Sequence, residues 1–244
     1  MALSGTDDYN LSRDQIVRAA FENIGVAIAN EPLEPEDVAV GALALNALSL
    51  SWKAHGLQLW KRGRYTISDT TTPALTASTY QYELGGTAGD FLIKPMRMIE
   101  VMRRTVSDNA ETDLNRLSLE EWEALPNKTT TGIPVSYYYE PQRLVGQLYL
   151  WPAPDATFAS DYEIDIVYQA PLQDMDVGTE EVDYPNEWYR ALIYALAVDL
   201  APKYGLERKE RELLIAQASA ALALAMSYDT EDVSSFFSPS NKGK

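Results

Sequence analysis

Residues 132–169 read GIPVSYYYEPQRLVGQLYLWPAPDATFASDYEIDIVYQ, and Pro185-Asn186-Glu187-Trp188 follows after an acidic stretch. Strand signals dominate it. Tyr137-Tyr138-Tyr139 and Gly146 to Trp151 are rich in β-forming residues, and Pro152 ends the second run. Tyr162 to Tyr168 alternates, with Tyr162, Ile164, Ile166 and Tyr168 on one face and Glu163 and Asp165 on the other, as in a half-buried antiparallel strand. The spacing predicts a hairpin-like unit in which a Pro154-Asp155 turn joins the strand ending at Trp151 to the strand beginning near Tyr162. A helix is predicted to open at Pro185.

Outward from this stretch the period changes to that of helices. Residues 1–10 read as a flexible arm. Ser12-Arg13-Asp14-Gln15 fits a capping box, and Ile16, Ala19, Ala20, Ile24, Ala27 and Ile28 continue it as an amphipathic helix over about 12–29. Pro35, with Glu36 and Asp37, starts a second helix. It carries two apolar stripes: Val38, Leu45, Trp52 and Leu59, and Leu43, Leu50 and Leu57. With ~100° of turn per residue these stripes lie on opposite sides, so the helix needs covering twice, by its own fold or by another subunit.

Alternation over Arg64–Ser68 and Thr79–Leu84, and strands over Phe91–Val106, fill the middle. A second capping box, Ser118-Leu119-Glu120-Glu121, starts a short helix ending near Leu125-Pro126. Asp174 to Asp183 reads as an acidic linker. After the Pro185 helix, Tyr204-Gly205 is a stop, and a fourth helix runs about 206–228 with Leu213, Ala220, Ala221 and Leu224. The expected fold is α+β. A four-helix domain made by residues 11–61 and 184–228 carries a β-rich antiparallel insertion over 62–183. An extended tail over 229–244 follows.

The 244 residues carry a net charge of -16, no cysteine and one histidine. A disulfide framework, a thiolate metal site and a multi-histidine zinc site are excluded, and no cofactor is expected. The acidic balance argues against a general nucleic-acid binder. Met1 to Asn10 is polar, and no apolar run reaches the ~20 residues of a membrane span, so no membrane partner is expected.

Candidate chemistry is sparse. His55 has no partner placed by sequence and reads as a histidine making a local hydrogen bond. Gly85-Gly86-Thr87-Ala88-Gly89-Asp90 lacks the lysine of a phosphate loop and reads as a turn. Arg97, Arg103 and Arg104 are either a solvated strand face or a contact for an acidic partner or nucleic acid. Asp161, Glu163 and Asp165 read as solvated carboxylates, with acid–base work on a glycoside as the alternative. The tail holds Phe236-Phe237 in a polar context, which suits either a frayed end or a segment that orders on a partner.

Gly132-Ile133-Pro134, the strand end Leu148-Tyr149-Leu150-Trp151-Pro152-Ala153-Pro154, Tyr168 and Pro185 to Gly205 together resemble tailed-phage head-to-tail adaptor proteins. The resemblance implies a structural, non-enzymatic virion protein made in the bacterial cytoplasm and placed at the neck. It would form a homo-oligomeric ring, a dodecamer, beneath the portal protein. That ring would extend the DNA channel, help retain packaged DNA and receive tail or neck proteins. Double-stranded DNA would pass through without sequence-specific binding. The resemblance places portal docking in the tail, at Phe236, Phe237, Pro239, Lys242 and Lys244. Subunit contacts are expected at Leu43, Leu50, Leu57, Ala220 and Leu224. The alternatives are a carbohydrate-active hydrolase or sugar-binding module built on Tyr137–Tyr139, Tyr149, Trp151, Tyr162 and Tyr168, and another neck or tail-completion protein.

Overall fold

The structure, a computed structural model, describes residues 9–28, 31–55, 59–86 and 93–229. The chain divides into two compact units, residues 1–60 with 173–244 and residues 61–172.

The first unit is helical. Helix α1 (Arg13–Asn23) begins with the capping box: Gln15 N–H donates to Ser12 Oγ at 3.4 Å, and Ser12 N–H donates to Gln15 Oε1 at 2.9 Å. Two of the free amides at the helix start are thereby satisfied. Helix α2 (Pro35–His55) follows. Helix α5 (Tyr189–Leu200) comes after a 3-10 turn at Asn186–Trp188, and Gly205, at φ +74°, lets the chain reverse into α6 (Arg208–Tyr228).

Helix α5 is the centre of this unit, with Leu192, Leu196 and Leu200 fully buried, and α1, α2 and α6 all pack on it. Gly41 lets α2 approach α1. A Cβ there would stand 2.4 Å from Val17 Cγ1. The Tyr204 hydroxyl donates to Asp37 Oδ1 at 2.5 Å, tying the α5–α6 turn to the start of α2. Trp52, Trp60, Tyr184 and Trp188 form one aromatic cluster, with Trp60 and Trp188 centroids 5.1 Å apart. The acidic stretch 174–183 lies along the start of α1. Arg13 N–H donates to Glu180 O, Asp14 N–H donates to Gly178 O, and Asn46 Oδ1 accepts from Met175 N–H.

The second unit holds three sheets. One has the order β1 (Arg62–Ile67), β10 (Tyr162–Gln169), β3 (Arg97–Thr105), β4 (Glu111–Asp113), all antiparallel. Another has the order β2 (Gln81–Leu84), β8 (Gly146–Trp151), β7 (Ser136–Pro141), β5 (Asn115–Arg116). A small pair joins β6 (Thr131–Gly132) to β9 (Ala153–Pro154) in parallel. Both four-stranded sheets contribute to one core that includes Ile67, Leu84, Val101, Tyr137, Leu148, Ile164 and Ile166. A bulge where β3 passes Val167/Tyr168 leaves Ile99 without a partner. It lets Met98 and Val101 both face inward despite their odd separation. Tyr139 closes over Gly146, where a Cβ would meet its hydroxyl at 2.2 Å, and Tyr168 over Gly63, where a Cβ would meet its ring at 2.5 Å.

Two expectations fail here. The fold is not a four-helix domain with an antiparallel insertion: the described residues form six α-helices and ten strands in three sheets. Two of the helices, α3 (Leu119–Glu123) and α4 (Ala156–Asp161), interrupt the strands, and the β5–β7 and β6–β9 pairings are parallel. Nor do the strands flanking Pro152 form a hairpin, because β8 and β10 belong to different sheets. Asp155 caps the connection between them, and Phe158 anchors it in the core. The Asp155 carboxylate accepts from Phe158 N–H at 2.7 Å as the N-cap of α4, so the chain turns into a helix and crosses to the other sheet. The hairpin is β7–β8 instead.

Candidate functional surfaces

Of the three carboxylates expected to be solvated, Asp161 is exposed, Glu163 is partly exposed and Asp165 is enclosed. Asp165 is fully buried and accepts from Arg64 Nη2 at 2.7 Å, while Arg104 Nε lies 3.4 Å from the same oxygen. Thr66 also donates to Asp165, Arg104 to Glu163, and Arg64 to Glu111. Hydrogen bonds to Asp165 and Glu111 hold the Arg64 pKa above its ordinary value. The alternation of β10 placed Glu163 and Asp165 correctly on the face away from the core. What it missed is that arginines on β1 and β3, the strands flanking β10, close over that face. Each carboxylate is an acceptor in a fixed ion network, which suits bracing three strands.

The same network accounts for the basic cluster. Arg104 is occupied by Glu163 and Asp165, and Arg103 Nη1 donates to Pro134 O at 2.9 Å; Arg97 alone of the three is exposed.

The tyrosines proposed as a sugar platform are divided between core and mutual stacking. Tyr137 and Tyr139 are buried, and Tyr139 donates to Pro95 O at 2.5 Å. Tyr138, Tyr149 and Trp122 stack on one another at 5.2–6.1 Å. Tyr162 lies flat on Phe158 at 4.8 Å, and Trp151 Nε1 donates to Asn127 O at 3.0 Å. Ring faces committed to other rings do not present a sugar-binding plane. Among the described residues no group of His, Asp and Glu is arranged to hold a metal ion. The side chain of His55 lies outside the described residues, as do Thr87 to Asp90 of the glycine-rich turn.

The helical unit presents a different kind of surface. Of the two stripes on α2, the one containing Leu45 is buried and the other faces outward: Leu43 is 74% and Leu50 57% exposed. Ala39, Val40 and Ala47 are exposed on the same face, and no residue from Val38 through Trp52 is charged. Helix α6 repeats the pattern. Leu214, Ala221 and Ala225 point inward, while Leu213 is 62% and Leu224 54% exposed, with Ala216, Ala220 and Tyr228 exposed beside them. From Leu213 through Tyr228 there is again no charge. A solvated helix face ordinarily carries charged residues. Leu57, and the tail residues Phe236, Phe237, Pro239, Lys242 and Lys244, lie outside the described residues. Sequence reading passed over Val40 and Ala47 as surface residues. The signal that could have found them was the long uncharged run on α2.

Two uncharged helix faces, on a chain whose Glu163 and Asp165 are held in an ion network and whose strand-face rings pack on one another, fit a protein that assembles with others. The model of the SU10 adaptor protein family matches residues 26–241. The chain belongs to that family. No curated protein matches it. Membership makes the protein a structural adaptor of a phage virion, and the match runs from before α2, through both units, into the C-terminal segment. No helix among the described residues is long and apolar enough to cross a membrane.

Proposed function

We propose that this adaptor assembles as a closed ring, of twelve copies, beneath the phage portal, where it extends the DNA channel, helps retain packaged DNA and receives tail or neck proteins. The observation that carries the reading is the family match over residues 26–241. The uncharged outer faces of α2 and α6 support it, since a ring of identical copies needs two different contact faces on each subunit. Leu43, Leu50 and Leu57 on one side, and Ala220 and Leu224 on the other, are the proposed subunit contacts. The domains proposed for assembly are the helical parts, 11–61 and 184–228, with the strand-rich part 62–183 between them.

Portal docking is assigned to the C-terminal segment, through Phe236, Phe237 and Pro239, with Lys242 and Lys244 beyond. Its support is that the family match continues to residue 241. The net charge of -16 suits a channel through which double-stranded DNA slides, because a negative wall repels phosphates. A ring whose channel wall proved net positive would refute that part.

The test is reconstitution with the cognate portal protein, read by particle imaging and mass. The full chain should give rings on the portal, and a chain ending at residue 228 should give none. Absence of rings with the full chain would refute the assembly; rings formed equally well without residues 229–244 would refute the docking role.

A further inference from the structure

We propose that in the assembled protein the outer face of α2 of one copy packs lengthwise on the outer face of α6 of the next, with Leu43 and Leu50 seated over an alanine trough between Leu213 and Leu224. This rests on the ring reading and adds which surfaces meet.

The two faces have complementary relief. On α2 the prominent side chains are Leu43 and Leu50, with Ala47 between them. At ~1.5 Å of rise per residue they stand about 10 Å apart. On α6 the prominent side chains are Leu213 and Leu224, about 16 Å apart on the same scale. Between them the exposed face carries the short side chains of Ala216 and Ala220, with the longer Gln217 beside them. A pair of knobs about 10 Å apart fits inside a pair of end-stops about 16 Å apart, and small residues allow the close approach that such packing needs. Pairing α6 with α6 would set two troughs together and leave a gap.

Charge argues the same way. The partner of either face must itself be uncharged over about four helical turns, and a second copy of this chain supplies such a face on its other long helix. The exposed large side chains offer on the order of 300 Å² of apolar surface on each helix, the size at which a surface patch on a monomer becomes functional. It is less than a stable two-body complex buries. The pairing thus suits copies held together by ring closure and by the portal, with free protein staying dissociated.

The chain lacks cysteine, so Ala47→Cys gives a single attachment point for a benzophenone maleimide. Labelled copies are mixed with unlabelled, isotopically heavy copies, assembled on the portal and irradiated. Adducts are expected on the heavy α6 peptide that follows Arg211. Adducts on heavy α2 would show like faces meeting and overturn the pairing, as would adducts on portal peptides. Rings seen by imaging without any α6 adduct would overturn the pairing while leaving the ring intact; no rings at all would overturn the ring reading first. As a second arm, Leu43→Asp with Leu50→Asp should abolish closed rings with unchanged helical circular dichroism. Normal rings from this variant would refute the proposal.

Discussion

Gly41→Ala should destabilise the helical unit in the native background and stabilise it once Val17 is shortened. Gly41 sits mid-helix in α2, where alanine is favoured over glycine by about 1 kcal/mol. Against this, the new Cβ would lie 2.4 Å from Val17 Cγ1 and 3.1 Å from Phe21 Cε2. Val17 is fully buried and stiff at χ1, so it cannot swing aside, and overpacking of this kind costs about 1–3 kcal/mol. The single variant should therefore lose about 1 kcal/mol. Val17→Ala alone empties two methyl positions and should lose about 2 kcal/mol. In that background the clash with Cγ1 is gone and only the 3.1 Å contact with Phe21 Cε2 opposes the helix preference, so adding Gly41→Ala should recover up to about 1 kcal/mol. The coupling across the cycle is then up to about 2 kcal/mol. Urea unfolding followed by helical circular dichroism measures it, provided the m-value is constant across the four proteins. Additivity within about 0.5 kcal/mol would show that α1 and α2 do not meet at Gly41 and Val17.

Asp165→Asn should remove the buried charge that Arg64 and Arg104 share, leaving Arg64 with Glu111 and Arg104 with Glu163 alone on the β1–β10–β3 surface. Losing one partner of a buried pair costs about 3–5 kcal/mol, and half-exposed Arg64 lowers this to about 1–3 kcal/mol, read as a lower unfolding midpoint of the strand signal; no change would refute the brace. Burial pushes the Tyr184 phenol from 10.0 up to about 12. Both folded and unfolded states keep that proton below pH 10, so its effect on stability is constant there. Above pH 10 the unfolded chain ionises first, and stability is lost up to about pH 12. Tyr184→Phe should remove one tyrosine's share of that alkaline loss in denaturation curves taken at successive pH values, with Tyr82, Tyr139 and Tyr204 supplying more of it, and an unchanged slope would refute the assignment.

What the sequence determined by itself was local. The capping boxes at Ser12 and Ser118 depend on residues three apart, the stop at Gly205 on one glycine, and the inward stripes on helical period, and all of these were legible because their causes lie within a turn or two of chain. The two stripes of α2 were likewise readable, with the sides they would occupy. The tertiary structure alone decided which stripe is buried, because that depends on α1 and α5 reaching α2 at Gly41 and Leu45 and leaving Leu43 and Leu50 uncovered. It also decided that Asp165 is enclosed, since the arginines that cover it come from β1 and β3, far away in the chain. The segment around Trp151 and Asp155 shows the boundary. Its strands were visible, but an aspartate before a short run reads equally as a turn or a helix cap. Only the packing of Phe158 into the core, which anchors α4, sends β8 and β10 to different sheets.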